Sequence, residues 1–352
     1  MLQLKKGSRI KMNILYTDFF CNCWGHKRLN KEFIKYLSTF ACVDILTQKN
    51  WYKELPSGVY NIEMKKEYYQ TGRFLSRINS LKMMLKARQL DKKKHYDYIF
   101  TSSYDTVAFG LGRLFFQNPE RFFIMHHNNL DGIQRKSVDL IFRSYANKVN
   151  HLVLEKFIGK YLMEYYDIRA EQINYLPHPM NKNSDCNLIK DFDAVGISNS
   201  NDEEIVSKII SYEKETTILK RKRKKVLLRS QKIEFDDGYL KVIKGYLEDN
   251  TYNEYINRAK SILVLFPLSF RNRVSGTIID ALSNHIKICG TEIPIVKEFE
   301  KKYPCICKSF STINELIDFI SNDVDDYEEQ FAEFEKEHTD DTIITILKEI
   351  FR

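Results

Sequence analysis

The sequence predicts an α/β protein of two domains, each built on a mainly parallel sheet with helices on its faces. At 352 residues, 43% of them hydrophobic, the chain is too long for one comfortable core and long enough for two. Short β-rich apolar runs alternate with stretches of helical apolar spacing, the signature of parallel strands joined by crossover helices. The alternation stops around Pro177, His178 and Pro179, passes a polar, turn-forming run at 181–185, and restarts. This sets the domains at 1–180 and 181–352.

In the first domain the candidate strands are 13–16, 42–46, 98–101, 122–125 and 152–154, with helical spacing over 29–37, 74–85 and 138–146. In the second, 194–197 reads as a strand, followed by a loop at 198–201 and a helix from Asp202 with Ile205, Ile209 and Ile210 on one face. Further strands are expected at 226–228, 262–266 and 286–289. Six basic residues in succession from Lys220 to Lys225 precede a strand without interleaved aromatics, which reads as a solvated loop rather than a nucleic-acid patch. The last segment, 327–352, reads as an acidic helix and then a helix with Ile343, Ile346, Leu347 and Ile350 on one face, docked on a domain.

Composition narrows the setting. The seven cysteines are an odd number without a secretory signal, so reduced thiols are expected. The Cys21/Cys23 and Cys305/Cys307 pairs are spaced too closely for a usual zinc site, and no metal is expected. No run approaches the roughly 20 apolar residues that cross a bilayer. The expected location is cytoplasmic, with a peripheral contact at the inner face of the membrane as an option. Lys and Arg outnumber Asp and Glu by 29 to 16 over residues 1–180 but fall short by 26 to 31 over 181–352. That asymmetry fits either an anionic partner for the first half or solubility alone.

The segment richest in chemistry is 261–290. Apolar residues run into Pro267 as a buried strand would, Arg271 and Arg273 follow in a loop, and Ser275 and Gly276 open a helix that buries Ile278, Ile279 and Leu282. Ligands of open α/β sheets bind beyond the C-terminal ends of the strands. A helix N-terminus offers unpaired N–H groups and partial positive charge, Gly276 permits close approach, and two arginines add full charges, a combination suited to a diphosphate. Asp280, one turn further in, has the chemistry to accept hydrogen bonds from ribose hydroxyls. Val274 and Thr277 complete the stretch. Ser275 is also the expected N-cap.

This layout resembles the donor half of GT-B glycosyltransferases of the group 1, family 4-like type. In these a strand ending in Pro leads to a glycine-containing helix start and an acidic-Ala pair, matched here by Ser275-Gly276 and Asp280-Ala281. Where the family often carries two glutamates with seven residues between them, this chain has Asn272 and Asp280. The resemblance extends more weakly over 195–201, 226–230 and 252–260, and implies a phosphate contact for Arg229.

It further implies two Rossmann-like domains facing a cleft, with an acceptor in the first and a nucleotide-sugar in the second. Transfer would be metal-independent, without a cofactor, and more in keeping with retention than inversion. The partners implied are a nucleotide-sugar donor and a glycan or lipid-linked acceptor, as in surface polysaccharide biosynthesis, and no nucleic acid. The competing readings are a catalytically idle relative that binds a glycan or partner and, more distantly, a nucleic-acid-binding protein.

The strand at 122–125 delivers His126, His127, Asn128 and Asn129 to the ligand edge of the first sheet. There a histidine would serve as a titrating group, or the asparagines as caps. The resemblance also implies a Pro-flanked residue near the cleft, here His178 between two prolines, for which a rigid hinge is the plainer reading. The loop from Asp18 to His26 takes the position that the resemblance gives to the acceptor, with Phe19, Phe20 and Trp24 as stacking aromatics. On the helix over 74–85, Phe74, Ile78, Leu81 and Leu85 form one stripe flanked by Arg73, Arg77, Lys82 and Lys86. Core packing is the reading favoured for that stripe, with membrane attraction as the rival.

Overall fold

A computed structural model describes residues 12–19, 24–65, 72–127, 129–182, 188–322 and 327–352. The chain forms two compact units, one of residues 1–177 with 340–352 and one of residues 178–339. The sequence places 340–352 with the second half, and here the structure corrects it.

The first unit is assembled from β1 (Asn13–Asp18), α1 (Trp24–Ser38), β2 (Cys42–Thr47), β3 (Tyr60–Glu63), α2 (Arg73–Lys94), β4 (Tyr98–Ser103), α3 (Thr106–Gly112), β5 (Phe122–His126), α4 (Lys136–Arg143), β6 (Asn150–Val153), α5 (Lys156–Tyr166) and β7 (Ile173–Tyr175). Its strands form one sheet in the order β3-β2-β1-β4-β5-β6-β7, all parallel. Central strands are buried on both faces: in β1 every residue after Asn13 is buried, the polar Thr17 and Asp18 included. The order reverses between β1 and β4, the switch point at which such sheets open a crevice.

The second unit comprises β8 (Ala194–Gly196), α6 (Glu203–Thr216), α7 (Ile218–Lys222), β9 (Val226–Ser230), β10 (Phe235–Asp236), β11 (Leu240–Lys244), α8 (Asp249–Asn257), β12 (Ser261–Val264), α9 (Gly276–Ser283), β13 (Lys287–Thr291), α10 (Pro294–Lys302), β14 (Cys307–Phe310), α11 (Ile313–Ser321) and α12 (Glu328–His338). Its sheet runs β10-β11-β9-β8-β12-β13-β14, parallel except for the β10–β11 pair. The switch point lies between β8 and β12. Gly196 and Gly290 stand where a Cβ would press on backbone and side chains of the neighbouring β12, 3.1 Å from Leu263 Cβ and 2.9 Å from Val264 Cβ. Side chains Asp105 and Asp202 cap α3 and α6, accepting from Val107 N at 3.0 Å and Glu204 N at 2.8 Å.

Two expectations change. The basic run is not a loop throughout. Leu219 is buried, the Glu213 carboxylate accepts from the N–H groups of Leu219 and Lys220, and a short helix, α7, results, ended by Arg223 in the left-handed region. Residues 340–350 form α13 (Asp340–Ile350), which returns to the first unit. Asp340 receives Tyr36 Oη at 2.6 Å and Lys35 Nζ at 3.1 Å, and the Phe351 ring sits 4.7 Å from Phe123 and 5.2 Å from Tyr98. The preference was invisible in α13 itself because its apolar face suits any flat core surface.

Candidate functional site

Strand β12 is buried along its whole length, and Leu265 and Phe266 continue it to Pro267 at the C-terminal edge of the second sheet. A short 3-10 turn, Leu268–Phe270, then brings Arg271 into solvent. Arg271 makes no ion pair among the described residues. Arg273 lies over the Phe270 ring, 5.0 Å from its centroid, so that face of its guanidinium is held by an aromatic cushion. Asn272, between them, is buried.

Ser275 has the backbone of an N-cap, but its side chain makes no capping hydrogen bond. This departs from the expected role: the first N–H groups of α9 are not satisfied by the hydroxyl that should cap them. A Cβ on Gly276 would meet nothing within 4 Å. Packing therefore does not demand glycine there, and the space in front of the helix is open. Val274 is half-buried, and Thr277, largely buried, accepts from Tyr252 Oη at 3.1 Å.

Asp280 faces a protein partner: one carboxylate oxygen accepts from Asn181 Nδ2 at 2.8 Å. Asn181 N donates to Ser283 Oγ, and Asn284 Nδ2 bonds both the Asn181 and Asp280 carbonyls. Helix α9 thus clamps the segment that enters the second unit. Sequence reasoning missed Asn181 and Asn284 because a clamp between residues about a hundred positions apart leaves no local pattern.

Across the switch point, Arg229 is the last residue but one of β9 and is buried. Its Nε donates to the Gly245 carbonyl at 2.5 Å and Nη1 to the Ser198 carbonyl at 3.4 Å, and burial lowers its pKa against the pull of Glu203. Nη2 makes no hydrogen bond among the described residues. Asn201, in the turn after β8, ties that turn down through Gly196 O and Arg229 O. Burial works against the Glu203 charge, but the Ser230 hydroxyl and the N–H groups of Gln231 and Lys232 hold its carboxyl below the usual glutamate range.

The first unit's edge is built differently. Asp18, at the end of β1, is buried and accepts from Asn30 Nδ2 at 2.9 Å, Trp51 Nε1 at 3.1 Å and the Ser103 hydroxyl. Phe19 is also buried, and its N–H donates to the Ser103 carbonyl, so it is a core residue and not a stacking platform. Phe20, Asn128 and the side chain of Trp24 lie outside the described residues.

The proposed titrating histidine at position 126 is corrected. His126 is fully buried. His151 Nε2 lies 2.8 Å from the Ala146 carbonyl, which only accepts, so His151 Nδ1 is an acceptor for His126 Nε2 at 2.8 Å. His126 Nδ1 then accepts from Asn129 Nδ2 at 3.0 Å. Both rings are neutral links in a chain. Burial pushes both pKa values down, to about 4 for His151 and well below the usual histidine value for His126, where the neighbouring His151 adds to the effect. His127, 9% exposed, instead stacks on His26 with centroids 4.3 Å apart. The structure therefore brings together two predicted residues from separate elements. His178 Nδ1 bonds the Pro179 carbonyl and its own carbonyl accepts from His338 Nδ1, both at 2.8 Å, which suits a structural post at the start of the second unit.

No family model matches the chain, and no curated protein matches its sequence. Solved structures do match. A glycosyltransferase from Rickettsia africae ESF-5 superposes with a TM-score of 0.65 at 14% identity, over 97% of this chain and 98% of that one. Anabaena Alr3699/HepE, solved with UDP and glucose, gives 0.63 at 11% identity over 96% and 98%. UDP-N-acetylglucosamine 2-epimerase from Rickettsia bellii gives 0.57 at 10% identity over 97% and 96%. Similarity at this level of identity speaks for architecture, and with both sheets and nearly all of each chain in common, the architecture of this protein is the GT-B fold.

Proposed function

We propose that the chain is a glycosyltransferase that takes a sugar from a nucleoside diphosphate and passes it to a glycan or lipid-linked acceptor, as in polysaccharide biosynthesis. The observation that carries this reading is the start of α9: an uncapped helix N-terminus, open space at Gly276, and the exposed Arg271 beside Arg273. The helix-start N–H groups lack a side-chain cap and Arg271 makes no ion pair among the described residues, and a diphosphate would meet both. In the reaction the bond from the anomeric carbon to the β-phosphate oxygen breaks, and its electron pair leaves with the diphosphate. The acceptor oxygen bonds to the anomeric carbon, and its proton passes to the departing diphosphate.

Negative charge grows on the leaving phosphate, where Arg271, Arg273 and the α9 N–H groups stabilise it more than in the ground state. These protein cations take the part a metal plays elsewhere, and retention is the expected stereochemistry. Arg229 Nη2 is a further phosphate donor, Val274 and Thr277 line the helix start, and Asp280 shares its carboxylate between Asn181 and a ribose hydroxyl. The acceptor side is assigned to the first unit's edge, where His26 and His127 meet. A fold common to transferases and 2-epimerases makes turnover the deciding measurement. Thermal stability against a panel of nucleotide-sugars and nucleotides should rise with one diphosphate donor and not in Arg271→Ala. Radiolabelled sugar should then reach an acceptor; a donor consumed only as an epimer, or no shift with any donor, would overturn the reading.

A further inference from the structure

The outer face of the first unit's helical layer carries an exposed apolar patch set among lysines. Helix α2 turns Ser80, Met83, Met84, Ala87 and Asp91 to the core. The stripe expected to pack inward points the other way: Phe74 is 75% exposed, Leu75 and Leu85 are exposed, and Ile78 and Leu81 are half-buried. Core packing of that stripe is thereby corrected.

The patch continues onto α3. Arg77 pairs with Asp105 at 3.2 Å, Met84 lies against Gly112, and the Arg88 guanidinium covers the Phe116 ring at 5.6 Å. All three contacts lie along one side of α2, and the next positions outward round the helix are Leu81 and Leu85. Beside them α3 and the turn after it expose Leu111, Leu114 at 65% and Phe115; α4, packed on α3 through Ile141 and Gly110, exposes Leu140 at 72%. Seven of the thirteen exposed large hydrophobics among the described residues fall in this layer. Scattered exposure would not concentrate so.

The charge is one-sided. Helix α2 carries eight Lys or Arg against one acid, Asp91, which is buried and paired with Arg88 and Arg121. Asp105 and Asp139 on the neighbouring helices are likewise paired, to Arg77 and Arg143. A second copy of the chain would bring the same positive charge to the face. A nucleic acid would use the cations but leave exposed leucines in water.

We infer that this face docks on an anionic lipid surface, with Phe74, Leu75, Leu85, Leu114 and Phe115 entering the headgroup boundary and Lys82 and Lys86 meeting lipid phosphate. Because α2 is the crossover from β3 to β4, its N-terminal Phe74 and Leu75 stand at the C-terminal edge of the sheet, the side at which ligands bind. None of the α9 residues takes part, so docking is independent of sugar transfer.

The test is co-sedimentation of the full chain with vesicles of phosphatidylcholine alone and with roughly one-third phosphatidylglycerol. Binding should require the anionic lipid and weaken with salt. It should fall on the order of tenfold or more in Lys82→Glu/Lys86→Glu, and again in Leu114→Ser/Phe115→Ser. These side chains are exposed or half-exposed, so unfolding temperature and the nucleotide-induced shift should be unchanged, which separates loss of docking from loss of the donor site. No vesicle binding, binding indifferent to both double variants, or binding to heparin or RNA without vesicles would overturn it.

Discussion

The two sheets end in C-terminal edges of opposite character. In the first unit two polar groups at the edge are tied into the fold: Asp18 takes three donors, and Asn129, His126, His151 and the Ala146 carbonyl form an unbroken chain. In the second, Ser275 declines to cap α9, Gly276 faces open space and Arg271 is exposed without an ion pair among the described residues. A buried polar group that the protein has already partnered holds the fold, whereas one open to solvent at the strand-end edge is available to a ligand.

The sharpest way to break this contrast is to remove Asp18. Asp18→Ala strands three buried donors and should cost about 3–5 kcal/mol of stability, against less than about 0.5 kcal/mol for Arg271→Ala, measured by denaturant unfolding. Comparable costs would erase the distinction. The docking of α13 follows in size: Phe351→Ala should destabilise the first unit by about 3 kcal/mol or more, since the ring packs on Tyr98, Phe100 and Phe123.

Acid should act on the first unit in particular. His126 and His151 have depressed pKa values in the folded state, so below the unfolded value of about 6.5 the unfolded chain binds more protons than the folded one. Stability is therefore fully present above about pH 6.5 and declines as pH falls towards 4, by about 3 kcal/mol for His151 alone. His151→Gln should flatten that slope in a pH series of unfolding curves; an unchanged slope would show that the pair is not what titrates.

On the open edge the effects are functional. Arg271→Ala should lower turnover by roughly a hundredfold with the fold intact, read by labelled-sugar transfer and unfolding temperature together. The smallest change sharpens the contrast most: Gly276→Ala should leave stability within about 0.5 kcal/mol, since its Cβ meets no protein atom, while donor affinity falls several-fold because that Cβ occupies the space a phosphate would use. Equal donor affinity would mean the space serves no ligand.

Much of this was legible in the chain. Central strands such as β1, β5 and β12 announce themselves by short apolar runs because burial on both faces confines polar residues to their ends. The edge strands β3, β7, β10 and β14 did not, since none is buried along its whole length and each is defined by its neighbour's hydrogen bonds. The helix start at Ser275-Gly276 was also readable, because strand, loop, arginines and glycine follow one another within fifteen residues of sequence.

By itself, then, the sequence determined the α/β class, and it pointed to a division after the Pro177–Pro179 stretch and to a candidate diphosphate site, all of which rest on local periodicity and short-range chemistry. Only the tertiary structure decided that His126 is a neutral link, that Asp280 clamps Asn181, that α13 belongs to the first unit and that the α2 stripe faces outward. Each of these depends on which distant residue lies opposite, and an amphipathic helix or a lone histidine carries no mark of its partner.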